Sequence, residues 1–324
     1  MKLYLIRHGE TVDNVAGVYA GSRDSALTNH GFEQAKRLGS YFAENDVKFT
    51  HIFASPLSRA FRTAGAVKDA QTQLAEPVDG VDIVKVQELI ERDYGAYEGR
   101  PYSTRSEWQK TGKDGVEESG GSVESVQSMA KRSDRFLDEH FLPLFDEDRH
   151  EEYIVAIVAH GMLCSHLWRR LLLRLPRRSL KIAPEIVAAR GNIVLEHLGG
   201  WSNTGYLELS IRREAESRPE AKPISDGSYD GDESASATTL STPVPPPVQS
   251  EGADVSLAPP KPSEPASPRK KDSRELSGYS TTILAIDSKQ HLVGLKRQPG
   301  GIGSLANDKG QKKLDTFFKR EKAT

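Results

Sequence analysis

A single cysteine, Cys164, occurs in 324 residues. No intrachain disulfide can form, and a structural zinc site built on several thiolates is excluded. Long apolar runs are missing as well. Tyr153 to Ala159, among the longest, falls far short of the roughly 20 residues that cross a bilayer. Met1 leads at once into Lys2-Leu3-Tyr4-Leu5-Ile6, too short for the apolar region of a secretory leader. Neither sign of charge dominates: 44 basic residues face 46 acidic ones, for a net charge of −2. Attraction of the whole molecule to nucleic acid or to acidic membranes is therefore excluded, and any such preference has to be local. The expectation is a protein of a reducing compartment, cytosolic or nuclear. Hydrophobic residues make up only 36% of the chain, so part of its length stays outside any core.

What is present divides the chain into three parts. Up to about Arg213, short apolar runs alternate with stretches of helical period. Leu3 to Ile6, Ile52 to Ala54, Ile83 to Val86 and Tyr153 to Ala159 read as strands covered by helices on both faces. Phe32, Ala35, Leu38 and Phe42 recur at helical spacing, as do Leu57, Ala60, Phe61, Ala64 and Val67, and a third helix is expected from Val123 through Val126, Met129 and Phe136. This alternation predicts a three-layer α/β/α domain on a mostly parallel sheet. From 214 to 278, Ser, Pro and acidic residues dominate, and such a segment cannot bury enough apolar surface to offset its ordering entropy. We expect disorder there. The Pro243 to Pro247 stretch favours extended polyproline geometry and reads as linker. Thr281 to Ile286 again looks like a strand, a partner for Tyr206 to Ile211. The expected organisation is a domain of residues 1–213 completed by 279–306, with 214–278 inserted as a long loop in the last hairpin, and a basic tail over 307–324.

In an open parallel sheet, ligands bind beyond the carboxyl ends of the strands. Arg7-His8-Gly9-Glu10-Thr11 follows the first run, Ser55-Pro56-Leu57-Ser58-Arg59 the second, Glu91-Arg92 the third and His160-Gly161 the last. Any one of these residues alone reads as a surface or hydrogen-bonded group. Two imidazoles, several guanidiniums and a carboxylate on one rim are what phosphate chemistry requires.

These stretches carry a resemblance. Arg7-His8-Gly9-Glu10-Thr11 with Asn14, Ser55 to Ala60 with Thr63-Ala64, Leu89 to Gly95 with Glu98-Gly99, and His160-Gly161 together resemble the histidine phosphatase, or phosphoglycerate mutase-like, superfamily. The resemblance covers residues 1 to about 211 and resumes over 281–295. It implies a metal-independent, cofactor-free phosphomonoesterase with a phosphoglycerate mutase-like fold, His8 as nucleophile and Glu91 as general acid and base. Arg7, Arg59 and His160 would cup the phosphate with Asn14 as an auxiliary ligand, and His160 could equally serve to orient His8. Glu91 is expected to keep a proton when substrate binds, so that it can protonate the leaving oxygen. Mutase-type phosphoryl transfer stays open, because Arg92 and Tyr94 resemble mutase substrate contacts. The stretch Arg100-Pro101-Tyr102-Ser103-Thr104-Arg105 does not resemble the mutase segment that holds a phosphoglycerate carboxylate, which favours hydrolysis. The substrate is a small phosphorylated metabolite or a phosphoprotein.

In the tail, Gln311, Leu314, Phe317 and Phe318 resemble the short peptide box that docks on the eukaryotic DNA sliding clamp, proliferating cell nuclear antigen. The alternatives are that both phenylalanines pack on the enzyme domain, or that the chain is a clamp-binding protein with little phosphatase activity. Pro268-Arg269-Lys270-Lys271 reads as solvated linker or as a weak nuclear import signal.

Overall fold

The computed structural model describes residues 1–72, 74, 80–104, 122–214 and 276–308. The insertion, apart from its ends, and tail residues Gln311, Leu314, Phe317 and Phe318 lie outside the described residues. Among those described, the strands are β1 (Lys2–Arg7), β2 (His51–Ala54), β3 (Ile83–Lys85), β4 (Ile154–Ala159), β5 (Leu180–Ile182), β6 (Tyr206–Arg213) and β7 (Tyr279–Ser288). They form one sheet in the order β3-β2-β4-β1-β6-β7-β5. Only β6 runs against the others, antiparallel to both β1 and β7.

The helices are α1 (Val12–Ala16), α2 (Asn29–Glu44), α3 (Ser58–Gln71), α4 (Val126–Phe136), α5 (Gly161–Leu172) and α6 (Pro184–Arg190). Strand alternation decides which helices meet which face. Tyr4 and Ile6 of β1 pack with Ala156 and Val158 of β4 against Leu38 and Phe42 of α2 and Ala60, Ala64 and Val67 of α3. Leu3, Leu5, Val155 and Ile157 point the other way, onto Met129 and Phe136 of α4 and Leu163, Leu167 and Trp168 of α5. The sheet is therefore the middle of three layers, a phosphoglycerate mutase-like α/β architecture.

Two details differ from the sequence expectation. The third run is an edge strand that pairs only with β2, and Val84 is 46% exposed. It is covered on one face only: Ile83 packs against the cluster of α2 and α3 side chains, while Val84 points the other way, to solvent. The third helix starts at Val126 rather than Val123, since the Ser125 hydroxyl accepts from the Ser128 amide and fixes the N-terminus there. The tight fit of α2 on α3 depends on Gly39, where a Cβ would stand 2.5 Å from the Ala66 carbonyl oxygen.

Candidate active site

Because β1, β2, β3 and β4 are parallel, their carboxyl ends share one rim, and the residues just beyond them converge. The His8 amide donates to the Ala159 carbonyl (3.0 Å), extending the β1–β4 ladder by one residue before the chain turns at Gly9. That turn brings two backbones together: a Cβ on Gly9 would lie 2.5 Å from the Gly31 oxygen, and one on Gly31 would lie 2.0 Å from the Glu10 oxygen. The Gly9 amide donates to Thr63 Oγ1 (3.0 Å), which ties the loop to α3.

His8 is 4% exposed. Its Nδ1 lies 2.7 Å from the Gly9 carbonyl. A carbonyl can only accept, so Nδ1 carries the proton and the lone pair of the neutral ring sits on Nε2. Burial, then Arg59, then Arg7, push the imidazolium form far below the ordinary histidine range. His160, fully buried, stands edge-on to His8 with ring centroids 5.1 Å apart. Arg59 Nε donates to His160 Nδ1 (3.2 Å), and His160 Nε2 donates to Ser55 Oγ (2.8 Å). Both of its ring nitrogens are thus engaged by protein groups.

Arg59, from the first turn of α3, is 1% exposed. Besides His160 it donates to the carbonyls of Ala20, Gly21 and Arg23. Burial lowers the pKa of its guanidinium, opposed chiefly by the charge on Glu91 and then by Asp24. Arg7 Nη1 donates to the Trp201 carbonyl, while its buried Nε has no partner among the described residues.

Glu91 caps α5. His160 occupies the N-cap position of that helix without supplying a side-chain cap. Instead, Glu91 Oε2 accepts from the Met162 amide (3.0 Å), and Oε1 from the Leu163 (3.1 Å) and Arg92 (2.8 Å) amides. The Met162 and Leu163 amides are first-turn donors of α5 that would otherwise lack partners within the helix. The segment leading to Glu91 is fastened by Arg132, which donates to the carbonyls of Glu88 and Ile90 and pairs through two nitrogens with the Glu124 carboxylate.

Asn14 closes a capping box with Thr11 at the start of α1, and its Oδ1 also accepts from Asn203 Nδ2 (3.1 Å). Arg92 Nε donates to the Glu124 carbonyl (2.9 Å). Tyr94 is buried against Tyr19, centroids 4.5 Å apart, and burial followed by Glu91 raises its phenol above the usual range. Sequence reasoning did not find Asn203, whose Nδ2 also donates to the His8 carbonyl (3.2 Å), or the Trp201 carbonyl that takes Arg7. The polar Ser202-Asn203-Thr204-Gly205 turn was the only available signal, and it is generic. Glu98 was also missed as a fastener: it accepts from the amides of Gly21, Ser22 and Tyr94.

The chain matches the histidine phosphatase superfamily, branch 1, over residues 3–194. It belongs to that superfamily. Members similar to this histidine phosphatase-superfamily chain include "Probable phosphoglycerate mutase GpmB" of Erwinia tasmaniensis, 36% identical over 169 residues, which spans 50% of this chain and 70% of that protein. "Probable phosphatase C1620.13" of Schizosaccharomyces pombe is 30% identical over 172 residues, covering 52% of this chain and 56% of its own length. Among solved structures, a mycobacterial glucosyl-3-phosphoglycerate phosphatase with VO3 aligns with a TM-score of 0.47 at 22% identity, over 65% of this chain and 92% of that one. The relatives thus carry both phosphatase and mutase names.

The buried histidines make a pH prediction for this superfamily member. His8 and His160 lie far below the usual histidine range, and His166 and His291 are each lowered to about 4, in every case first by burial. Below about 6.5 the unfolded chain binds these protons and the folded one does not, so stability falls as pH drops from about 6.5 toward 4. The thermal midpoint should decline through that window, with net proton uptake on unfolding in calorimetry. A midpoint that is flat or rises from pH 7 to 5 would contradict these protonation states.

Proposed function

We propose that the chain is a metal-independent phosphomonoesterase that works through a phosphohistidine on His8. One observation carries this reading: a buried neutral imidazole, its Nδ1–H given to Gly9, is influenced by the charges of Arg59 and Arg7. Nε2 attacks phosphorus and the ester P–O bond breaks. Glu91 gives a proton to the leaving oxygen. Water then attacks the phosphohistidine, Glu91 takes its proton, and the P–N bond breaks to release phosphate. Arg7 and Arg59 stabilise the equatorial oxygens of the transferring group, the electrostatic contribution that dominates such reactions. Arg7 Nε, without a partner among the described residues, supports its place in the phosphate cup.

The test is a panel of phosphometabolites and phosphopeptides with chelator present, scoring both inorganic phosphate and rearranged phosphoester. Phosphate release is the expected result. Isomerisation of a phosphoglycerate with little phosphate released would favour the mutase reading, which Arg92, Tyr94 and the mutase relatives support.

The same proposal assigns residues 311–318 to the sliding clamp, placing the enzyme at least partly in the nucleus. In a 3₁₀ turn on the clamp, Leu314 and Phe317, three apart, would share one edge, with Phe318 beside them and Gln311 as a polar anchor. A peptide spanning 309–324 should bind purified clamp and weaken with salt, because Lys319, Arg320 and Lys322 steer it toward an acidic surface. The Phe317→Ala/Phe318→Ala double variant should bind at least ~100-fold more weakly, as loss of two aromatic anchors implies. Equal binding by the two peptides, or none by either at micromolar concentration, would refute the clamp assignment and leave the tail as unexplained linker.

A further inference from the structure

Two residues other than glycine adopt left-handed backbone where the β6–β7 ladder begins: Thr204, φ 57°, and Asp287, φ 45°. The conformation is a genuine outlier for a β-branched residue such as Thr204. Strain of this kind persists only where surrounding contacts overdetermine it. Here those contacts lead to the catalytic rim.

Thr204, fully buried, directs its amide between the carbonyls of Arg7 (3.1 Å) and His8 (3.2 Å). Its hydroxyl donates to the Asn203 carbonyl (2.7 Å) and accepts from His291 Nε2 (2.9 Å). On the facing strand, the Asp287 carboxylate accepts from the Ser202 amide (2.8 Å) and the Ser202 hydroxyl (2.8 Å). Lys289 Nζ is 3.8 Å from the same carboxylate. A Cβ on Gly205 would stand 2.1 Å from Asp287 Oδ1, so only glycine lets the carboxylate in. Ser202 directly follows Trp201, whose carbonyl receives Arg7 Nη1. The Arg7 guanidinium is therefore aimed by a carbonyl that Asp287 holds still, from a strand lying beyond the insertion.

We infer that Asp287 is a positioning residue for the phosphate-binding guanidinium of Arg7, an inference that rests on the proposed phosphate-ester reading. It explains why the chain keeps two strained residues at this point. It also gives the segment after the insertion a part in catalysis beyond completing the sheet. Removing the carboxylate leaves Ser202, which is only partly buried, free to hydrogen-bond water, so the fold should survive while the Trp201 carbonyl loosens. Asn at 287 can accept from the Ser202 amide and donate to its hydroxyl, and so should preserve the lock.

The experiment is a double-mutant cycle on the full chain, using Asp287→Ala, Asp287→Asn, Arg7→Met and the Asp287→Ala/Arg7→Met pair. It reads vanadate affinity, steady-state kinetics on nitrophenyl phosphate, and thermal midpoint. Asp287→Ala should lower vanadate affinity and kcat about tenfold with KM within about twofold, whereas Asp287→Asn stays within about threefold of the parent, the loss of one hydrogen-bonded orientation being worth roughly that factor. In the Arg7→Met background, Asp287→Ala should add less than about twofold, because residues acting as one unit are not additive. Full additivity, or parent-like affinity in Asp287→Ala, overturns the inference, and so does Asp287→Asn being as impaired as Asp287→Ala. Vanadate binding is read separately from chemistry. A parent protein that binds vanadate yet forms no phosphoenzyme refutes the phosphohistidine mechanism, while the cycle still decides the role of Asp287. A parent that binds no vanadate refutes both.

Discussion

His8→Ala protein should fold, with a thermal midpoint close to that of the parent, and turn over phosphate esters more slowly by on the order of 10⁴-fold or more. That factor corresponds to about 5.5 kcal/mol of lost transition-state stabilisation. The fold should tolerate the change because the imidazole is a buried group whose one hydrogen bond is to its neighbour's carbonyl, made within the turn. Activity should not, since the attacking lone pair disappears while Arg7 and Arg59 remain. On the proposed reading those groups hold and polarise phosphate but form no covalent bond to it. Turnover of nitrophenyl phosphate and a melting curve on the same preparation check the prediction, and activity within tenfold of the parent would remove His8 from the mechanism.

Glu91→Gln should separate substrates by leaving group. An alkyl phosphate needs a proton on the departing oxygen, and loss of a positioned general acid costs about 10²–10⁴-fold. A nitrophenolate leaves without one, so its loss should stay below about tenfold. Glutamine also places its amide nitrogen opposite backbone N–H groups that now find acceptors on both oxygens of Glu91. One of those donors loses its partner, at a cost of about 1–3 kcal/mol, and the thermal midpoint should drop accordingly. Measuring both substrates on one preparation cancels that structural loss, and the ratio of the two rates is the result that matters. Equal losses would move the acid elsewhere. Glu10 would be the first candidate from sequence, but its carboxylate accepts from Thr28 Oγ1 and pairs with Arg297.

The layered architecture was legible because its signal is local. Leu3 to Ile6 and the Ile154 to Ala159 run are apolar on consecutive positions, and each alternate residue finds a helix on its own side of the sheet. Parallel pairing then sends the residues after each strand to one rim, so His8, Arg59, Glu91 and His160 could be gathered on paper before any coordinates. The Ile83 to Val86 run misled because so short a stretch carries no sign of whether helices cover one of its faces or both. What stayed hidden is held by contacts between distant segments. Asn203 reaches a carbonyl 195 positions earlier, and Trp201 receives an arginine 194 positions earlier. Neither leaves a periodicity, because a backbone carbonyl in a loop is the same group whatever residue bears it. The role of Glu91 as the cap of α5 was invisible for a related reason, since a cap is normally sought next to the helix it closes and this one comes from 71 positions before Met162.

The phosphohistidine is the central claim, and trapping it is the most direct test. The parent protein, mixed with a labelled phosphate ester in chelator and quenched within milliseconds, should carry label that survives alkali and is lost in acid, and peptide mapping should place it on the segment containing His8. Stoichiometric turnover with no acid-labile label on that segment, or label on any other residue, would contradict the mechanism.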